Sequence, residues 1–263
     1  MTADLPAYCF YRVFEPEPPK TLQMDRHYLL YASEGTLRLT AQGRSWALYP
    51  GRAAWLAAGE PVEVRIDAPL TSCSVLYRPD TIDTPPGPVT VFDMSRLARE
   101  LALEARVWGP DLTELPEIAV THFKLLGLTA LALARNPSNA WIPVGQSDGL
   151  RRALTATEAR FADPGLTIQA VAAEAGLSER TLGRRCRQEL AMTWRQALRR
   201  IRILHAIETL TRSDVSTLEV GYRCGYASSS AFTAAFQEHT GTTPAAYRAA
   251  LRAPAPKAGA GSN

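Results

Sequence analysis

The sequence predicts an α+β chain: a β-rich front half that closes as a sandwich or barrel, then an all-α back half. Three observations carry that reading. From Lys20 to Pro79 short apolar runs alternate with turn pairs at regular spacing, as in small antiparallel β folds. From Met94 onward the apolar spacing becomes helical. The formal charge of +3 also averages two unlike halves: residues 1–144 carry 13 Lys+Arg against 16 Asp+Glu, and residues 145–263 carry 16 against 10. A basic half behind an acidic one points to a polyanion met by the back half alone, and a length of 263 residues suits about two domains.

In chain order, the predicted strands are Tyr28–Tyr31, Thr36–Thr40, Ser45–Tyr49, Ala54–Leu56 and Val62–Ile66. Glu34-Gly35, Gln42-Gly43, Pro50-Gly51 and Ala58-Gly59 punctuate them. Pro79–Pro88 is a proline-rich connector. Two helices follow, Met94–Trp108 and Pro116–Arg135. The second bears Ile118, Leu125, Leu126, Leu128, Leu131 and Leu133, and is expected to be buried on more than one side, as a packing or dimer helix. Asn136–Asn139 ends it and opens a linker to about Asp148. Leu150–Ala250 reads as helices joined by tight turns, and the Ala/Pro/Gly/Ser tail Ala253–Asn263 is expected to be disordered.

Composition narrows the classes further. Cys9, Cys73, Cys186 and Cys224 show no metal or disulfide spacing, which points to a reducing compartment. The N-terminus lacks the basic and apolar regions of a secretory signal. The most apolar stretch, Ile118–Ala134, contains Thr121, His122 and Lys124 and falls short of the ~20 residues of a membrane span. A soluble, cytoplasmic protein is expected. Lys20, Lys124 and Lys257 are the three lysines among 29 basic residues, so the cationic chemistry is guanidinium, suited to bidentate contacts with phosphates and base edges.

The back half holds a degenerate repeat. Ile168-Gln-Ala-Val-Ala172-Ala-Glu-Ala-Gly176-Leu-Ser178-Glu-Arg-Thr-Leu182 supplies, in order, a small residue where two helices cross, a turn glycine, a capping serine and an apolar anchor. Thr217-Leu-Glu-Val-Gly221-Tyr-Arg-Cys-Gly225-Tyr-Ala-Ser228 repeats this 49 residues on, with Phe232 as anchor one position later. If Leu182 and Cys186 face inward, Arg180, Arg184 and Arg187 lie on the opposite face of the second helix. They are candidate contacts in the major groove, with a solvated basic face as the alternative. In the second copy Phe232 and Phe236 face inward, while Ser230, Thr233, Ala234 and Gln237 form a polar, uncharged outer face. Cys186 is expected to be a buried packing thiol rather than a redox switch.

Residues 150–252 resemble the DNA-binding domain of AraC/XylS-type regulators. The resemblance rests on Ala172–Leu182 and Arg184–Glu189. It is carried more specifically by Gly221-Tyr-Arg-Cys-Gly-Tyr-Ala-Ser-Ser-Ser-Ala-Phe-Thr-Ala-Ala-Phe236 and by Gly241-Thr-Thr-Pro-Ala-Ala-Tyr-Arg248. It implies a linker helix at about Thr193–Arg212, and base contacts at Arg180, Arg184, Ser229, Ser230 and Thr233. Three positions depart from the family: Ala234 stands where Arg is frequent, Cys186 replaces an aromatic, and Gly183 lacks a side chain that often makes contact. A rigid linker would set two reading helices about one duplex turn (~34 Å) apart. Arg195, Arg199, Arg200 and Arg202 are candidate phosphate clamps, or partners of Glu208.

The front half resembles the cupin-like effector domain that precedes this module, on His27–Gly35 and Tyr49–Gly59. Its later metal position falls on Val62, and His27 has no His partner two residues on, so a metal site and metal cofactor are not expected. Tyr28, Tyr31, Arg38, Trp46, Trp55 and Tyr77 are candidate liners of an effector cavity, with core packing as the alternative.

The expected organisation is a cupin-like sensor (1–92), a helical dimerisation segment (93–140), a linker (141–149), the DNA-binding domain (150–252) and a tail (253–263). The DNA-site candidates are Ser178, Arg180, Arg184, Arg187, Ser228, Ser229, Ser230, Thr233 and Gln237. The expected function is a DNA-binding transcription regulator, an activator without enzymatic activity. Its expected partners are double-stranded DNA, RNA polymerase, a small-molecule effector and a second copy of the chain. The alternative is a cupin enzyme with an appended nucleic-acid anchor.

Overall fold

Alternation of side chains along each strand decides the layering of the front half. The computed structural model describes residues 4–138 and 140–252; the predicted disordered tail lies outside them. Two five-stranded antiparallel sheets face each other. The first runs β1 (Ala7–Phe14), β8 (Leu70–Tyr77), β3 (His27–Glu34), β6 (Arg52–Leu56) and β9 (Val89–Asp93). The second runs β10 (Ile142–Pro143), β5 (Arg44–Leu48), β4 (Leu37–Ala41), β7 (Val62–Ile66) and β2 (Glu17–Leu22). Tyr28, Leu30, Leu37, Leu39, Trp46, Val64, Ile66 and Leu76 fill the space between the sheets.

The other face of the first sheet carries Leu29, Tyr31, Trp55, Val75 and Tyr77, which pack under α1 (Arg96–Glu104) and α2 (Glu117–Ala134). A 3₁₀ turn, Ala105–Val107, lies between these helices. Expected to be buried on more than one side, α2 is buried along one stripe: Ala119, Phe123, Leu126, Gly127, Ala130 and Ala134. Small residues let that stripe lie close on the sheet and leave the branched residues outside, so Ile118 is 66% and Leu128 50% exposed. By length and composition alone the helix would qualify as a membrane span, contrary to the length estimate; here its small-residue stripe is core.

Five strands fall outside the predicted set, β8 among them although it lies within the stretch read as strands up to Pro79. Pro18 and Pro19 hide β2, and are tolerated there because it is an edge strand paired with β7 alone. β1 is also an edge, paired along its whole length with β8. β9 is short, and β10 lies inside the predicted linker, pairing Ile142 with Ser45.

The back half is seven helices among the described residues: α3 (Asp148–Ala159), α4 (Ile168–Glu174), α5 (Glu179–Leu190), α6 (Trp194–Arg212), α7 (Thr217–Arg223), α8 (Ser229–Thr240) and α9 (Pro244–Arg252). One core gathers Leu150, Leu154, Val171, Leu182, Cys186 and Trp194 from the first helix pair and its neighbours. The other joins Ile203, Ile207, Val220, Phe232, Phe236 and Tyr247 to Ala47, Tyr49 and Ile142 of the front half. The helical domain thus docks on the outer face of the second sheet. Tyr49 and Tyr247 hydroxyls meet at 3.0 Å, and Trp141 is flanked by the guanidinium groups of Arg44 at 4.6 Å and Arg200 at 4.1 Å.

Candidate nucleic-acid interface and sandwich cavity

The two helix pairs are built alike, bond for bond. In the first, Gly176 adopts φ +69 beyond the end of α4. Its N–H donates to Ala173 O (3.1 Å) and that of Leu177 to Ala172 O (2.8 Å), the paired bonds of a Schellman turn. Gly225 (φ +76) repeats the turn, with Gly225 N–H to Tyr222 O at 2.9 Å and Tyr226 N–H to Gly221 O at 3.0 Å. The serine caps match too: Ser178 accepts from Thr181 N–H at 3.1 Å and Ser228 from Ala231 N–H at 3.2 Å.

The crossings differ in a complementary way. Ala172 suffices where the anchor is Leu182, but the second unit anchors on Phe232, and a Cβ on Gly221 would stand 2.9 Å from that ring. A larger anchor therefore requires a smaller crossing residue.

These frames fix what α5 and α8 present to solvent. Leu182 and Cys186 are buried, and Arg180, Arg184 and Arg187 are exposed on the opposite face. None of the three makes a hydrogen bond or ion pair with a described residue. On α8, Phe232 and Phe236 are buried, Ser229, Ser230, Ala234 and Gln237 are exposed, and Thr233 is half-buried. Ser178 and Ser228 remain exposed while capping, and Ser228 also contacts the Ser230 hydroxyl at 3.1 Å. The structure brings the nine predicted residues onto two helix starts and their outer faces: a cationic first face and a neutral second one. Burial pushes the Cys186 thiol up to about 11, which keeps it a neutral packing group.

Of the candidate clamps on α6, Arg195 alone is exposed and without a partner among the described residues. Arg199 pairs with Glu238 at 2.8 Å, Arg200 stacks on Trp141, and Arg202 donates to Phe161 O and Asp163 O, both at 2.8 Å. Glu208 faces His205 (3.5 Å) rather than an arginine. These side chains were pulled away from the clamp role by the packing of α6 on its neighbours, which helical spacing alone does not encode.

Sequence reading missed the ties of α5 to the linker. The Glu189 carboxylate accepts from the N–H groups of Gln146 and Ser147, each at 2.8 Å, and from the Ser147 hydroxyl at 2.7 Å. Burial is the largest single influence and opposes its ionisation, but these bonds, with the charge of Arg185, together outweigh it and hold the carboxyl below its usual range. Arg185 adds a bond to Ser147 Oγ at 3.2 Å.

The front half contains a cavity of about 390 Å³ between the sheets. It is lined by alternate residues of β1 (Tyr8, Phe10, Arg12, Phe14) and β2 (Lys20, Leu22), with Tyr28, Leu30, Leu37 and Ile66 behind them. Of the six predicted effector contacts, only Tyr28 lines it. Trp46 is sandwich core. Tyr31 and Trp55 face the opposite side of the first sheet, because a one-residue step along a strand reverses the face. Tyr77, on that same side, lines a separate cavity of about 410 Å³ against α2. Arg38 points off the outer face of the second sheet to Glu158 of α3, at 2.6 Å. His27 is buried and accepts from Ala58 N–H at 3.0 Å.

Residues 151–250 match the family model described as "Helix-turn-helix domain". The HTH-type transcriptional activator RhaR of Escherichia coli O1:K1 / APEC is 27% identical over 162 residues, covering 62% of this chain and 56% of that protein. The HTH-type transcriptional activator RhaS of Salmonella schwarzengrund (strain CVM19633) is 31% identical over 126 residues, 48% of this chain and 45% of that protein. The chain thus spans about half the length of the curated relatives it matches. Among solved structures, the DNA-binding domain of AdpA in complex with a target DNA is 36% identical with a TM-score of 0.39, covering 42% of this chain and 99% of that one.

Proposed function

We propose that the chain is a transcription regulator of the AraC type, an activator controlled by a small molecule; the match of residues 151–250 to the helix-turn-helix domain model and the likeness to two transcriptional activators support this reading. The observation that carries the reading is the pair of equivalent helix-turn-helix frames, the first presenting Arg180, Arg184 and Arg187 unpaired to solvent. α5 enters one major-groove segment and reads base edges through these arginines. α8 enters the next segment with Ser229, Ser230, Thr233 and Gln237, adding polar contacts and less electrostatic affinity. Arg195 holds a phosphate beside them.

The front half acts as sensor rather than enzyme, with its effector in the sandwich cavity. The apolar residues that α2 exposes, Ile118, Val120, Leu125 and Leu128, form the surface for a second copy, in the cytoplasm where RNA polymerase is the downstream partner. Selection of bound fragments from genomic DNA at physiological salt tests the reading. Enrichment of a bipartite motif with half-sites about 10 base pairs apart is expected. Retention of fragments without sequence preference would refute it.

A further inference from the structure

Two thiols touch in the core of the front half. Cys9 of β1 and Cys73 of β8 are both buried, and their Sγ atoms lie 3.8 Å apart. The strand register sets them there. Cys9 stands opposite Val75 and Cys73 opposite Tyr11, so the two are diagonal neighbours on the sheet face that α1 covers. The thiols form a chain with a fixed direction. Cys73 donates its S–H to the Ala102 carbonyl at 2.9 Å, which leaves Cys9 as the donor to Cys73 Sγ. Ala102 lies in the last turn of α1, where the final four carbonyls have no partner within the helix. A strand thiol thus caps a helix end. The bond from Cys9 does most to hold the Cys73 thiol below its usual range; burial opposes it and the Arg106 charge helps. The same bond, with burial, pushes the Cys9 thiol up. Cys186 and Cys224 lie apart, in the two helical cores.

We propose that Cys9 and Cys73 are an oxidation site for a small peroxide, closing to a reversible disulfide that uncaps α1. The Cys73 thiolate attacks one peroxide oxygen. The S–O bond forms, the O–O bond breaks, and the departing hydroxide takes up the proton that Cys73 released and leaves as water. The Cys9 sulfur then attacks the Cys73 sulfur, the S–O bond breaks, and the hydroxyl leaves as water with the Cys9 proton. The peroxide is reduced to water and the two thiols are oxidised. The sulfurs must approach by about 1.8 Å to reach the ~2.04 Å of a disulfide, a movement that side-chain rotation and an edge strand can supply. Peroxide enters from that edge. β1 pairs with β8 alone, and beside it lies the short turn Ala105–Val107, whose Arg106 and Val107 are exposed. A backbone bond from Cys9 N–H to Trp108 O at 2.8 Å ties the exit of that turn to β1. A disulfide has no S–H, so the Ala102 carbonyl loses its donor and the end of α1 loosens. In a reducing compartment such bonds are transient and serve redox sensing. The site stands apart from the regulator reading, since every residue in it belongs to the front half.

Treatment of the full chain with hydrogen peroxide, followed by thiol counting in denaturant, tests the site. Of the four thiols two should be lost, and the chain should be lighter by two hydrogen atoms. Peptide mapping should place the bond between Cys9 and Cys73, and dithiothreitol should reverse it. Amide exchange in α1 and the turn after it should quicken by about tenfold on oxidation and stay unchanged in α4 and α5. In Cys9→Ala, or in Cys9→Ser should the alanine variant fail to fold, dimedone should trap Cys73 as its sulfenic acid. Retention of every thiol, oxidation of Cys186 or Cys224 in place of the pair, a disulfide that leaves exchange in α1 unaltered, or no dimedone adduct in the variants would overturn it.

Discussion

At the scale of single residues, the repeat was legible because its functions are backbone functions. A turn needs φ near +70, a helix start needs a side-chain acceptor, and Gly176, Gly225, Ser178 and Ser228 are the residue types that provide these. The arginine faces were legible for the same reason, since Leu182 and Cys186 fix the rotation of α5. Arg184→Ala is expected to relax base preference at one operator position by about 1–3 kcal/mol. Arg195→Ala should instead weaken all sequences alike and flatten the salt dependence. Competition binding against a library of single-base operator variants checks both, and uniform loss for Arg184→Ala would count against base readout. Gly221→Ala tests the crossing: its Cβ would meet the Phe232 side chain at 2.9–3.1 Å, and overpacking of this kind costs about 1–3 kcal/mol. A denaturation midpoint equal to that of the unsubstituted chain would show that the ring can give way.

At the scale of elements, the effector residues were the least legible part, because a strand reverses its face at every residue and aromatic content cannot say which face a residue takes. Tyr28 and Tyr31, three apart, point to opposite sides of one sheet. Arg12 and Lys20 went unnoticed because β1 precedes the stretch read as strands and Pro18 and Pro19 disguise β2; the inward series Tyr8, Phe10, Arg12, Phe14 was the available signal. Packing between elements also reassigns charges, as at the junction of β4, α3 and α6. There His205 stacks on Phe161 at 3.9 Å, its Nε2 lies 3.7 Å from Glu158 and its Nδ1 3.5 Å from Glu208. Burial alone would lower its pKa, but the two carboxylates prevail and raise it to about 9. Arg38 shares Glu158 from the front half. Since the folded-state pKa stands above the unfolded value of 6.5, this stabilisation is whole below about pH 6.5 and is lost as pH rises through about 9. The loss is at most about 3 kcal/mol. Urea midpoints at about pH 6 and 10 should fall accordingly, and His205→Gln should lower the acid-side value and flatten this part of the slope. An unchanged slope in the variant would show that His205 is not the titrating group.

At the scale of the whole molecule, charge arithmetic located the two halves but not how firmly they are joined. The predicted linker contains a strand: Ile142 pairs with Ser45, and Val144 N–H donates to Gly43 O at 2.9 Å. A few residues on, Gln146 and Ser147 are held by Glu189 of α5. A short, hydrogen-bonded segment therefore runs from the sensor sheet to a reading helix. The second helical core reaches across the same boundary, with Ala47, Tyr49 and Ile142 in one buried cluster with Ile203, Ile207 and Tyr247. The first helical core, around Leu182 and Trp194, is built from the back half alone. The two units should then depend unequally on the front half. In a fragment of residues 145–263, the apolar faces of α6 and α9 that meet Tyr49 and Ile142 would be exposed, at about 25 cal/mol per Å² of apolar surface lost from burial. Amide hydrogen exchange should accelerate in α7, α8 and α9 relative to the full chain, and much less in α4 and α5. Tyr49→Ala in the full chain should produce the same pattern by removing the side chain at the centre of the contact. Equal protection of α8 in fragment and full chain would mean that the sensor can leave the helical domain without loosening its second reading helix.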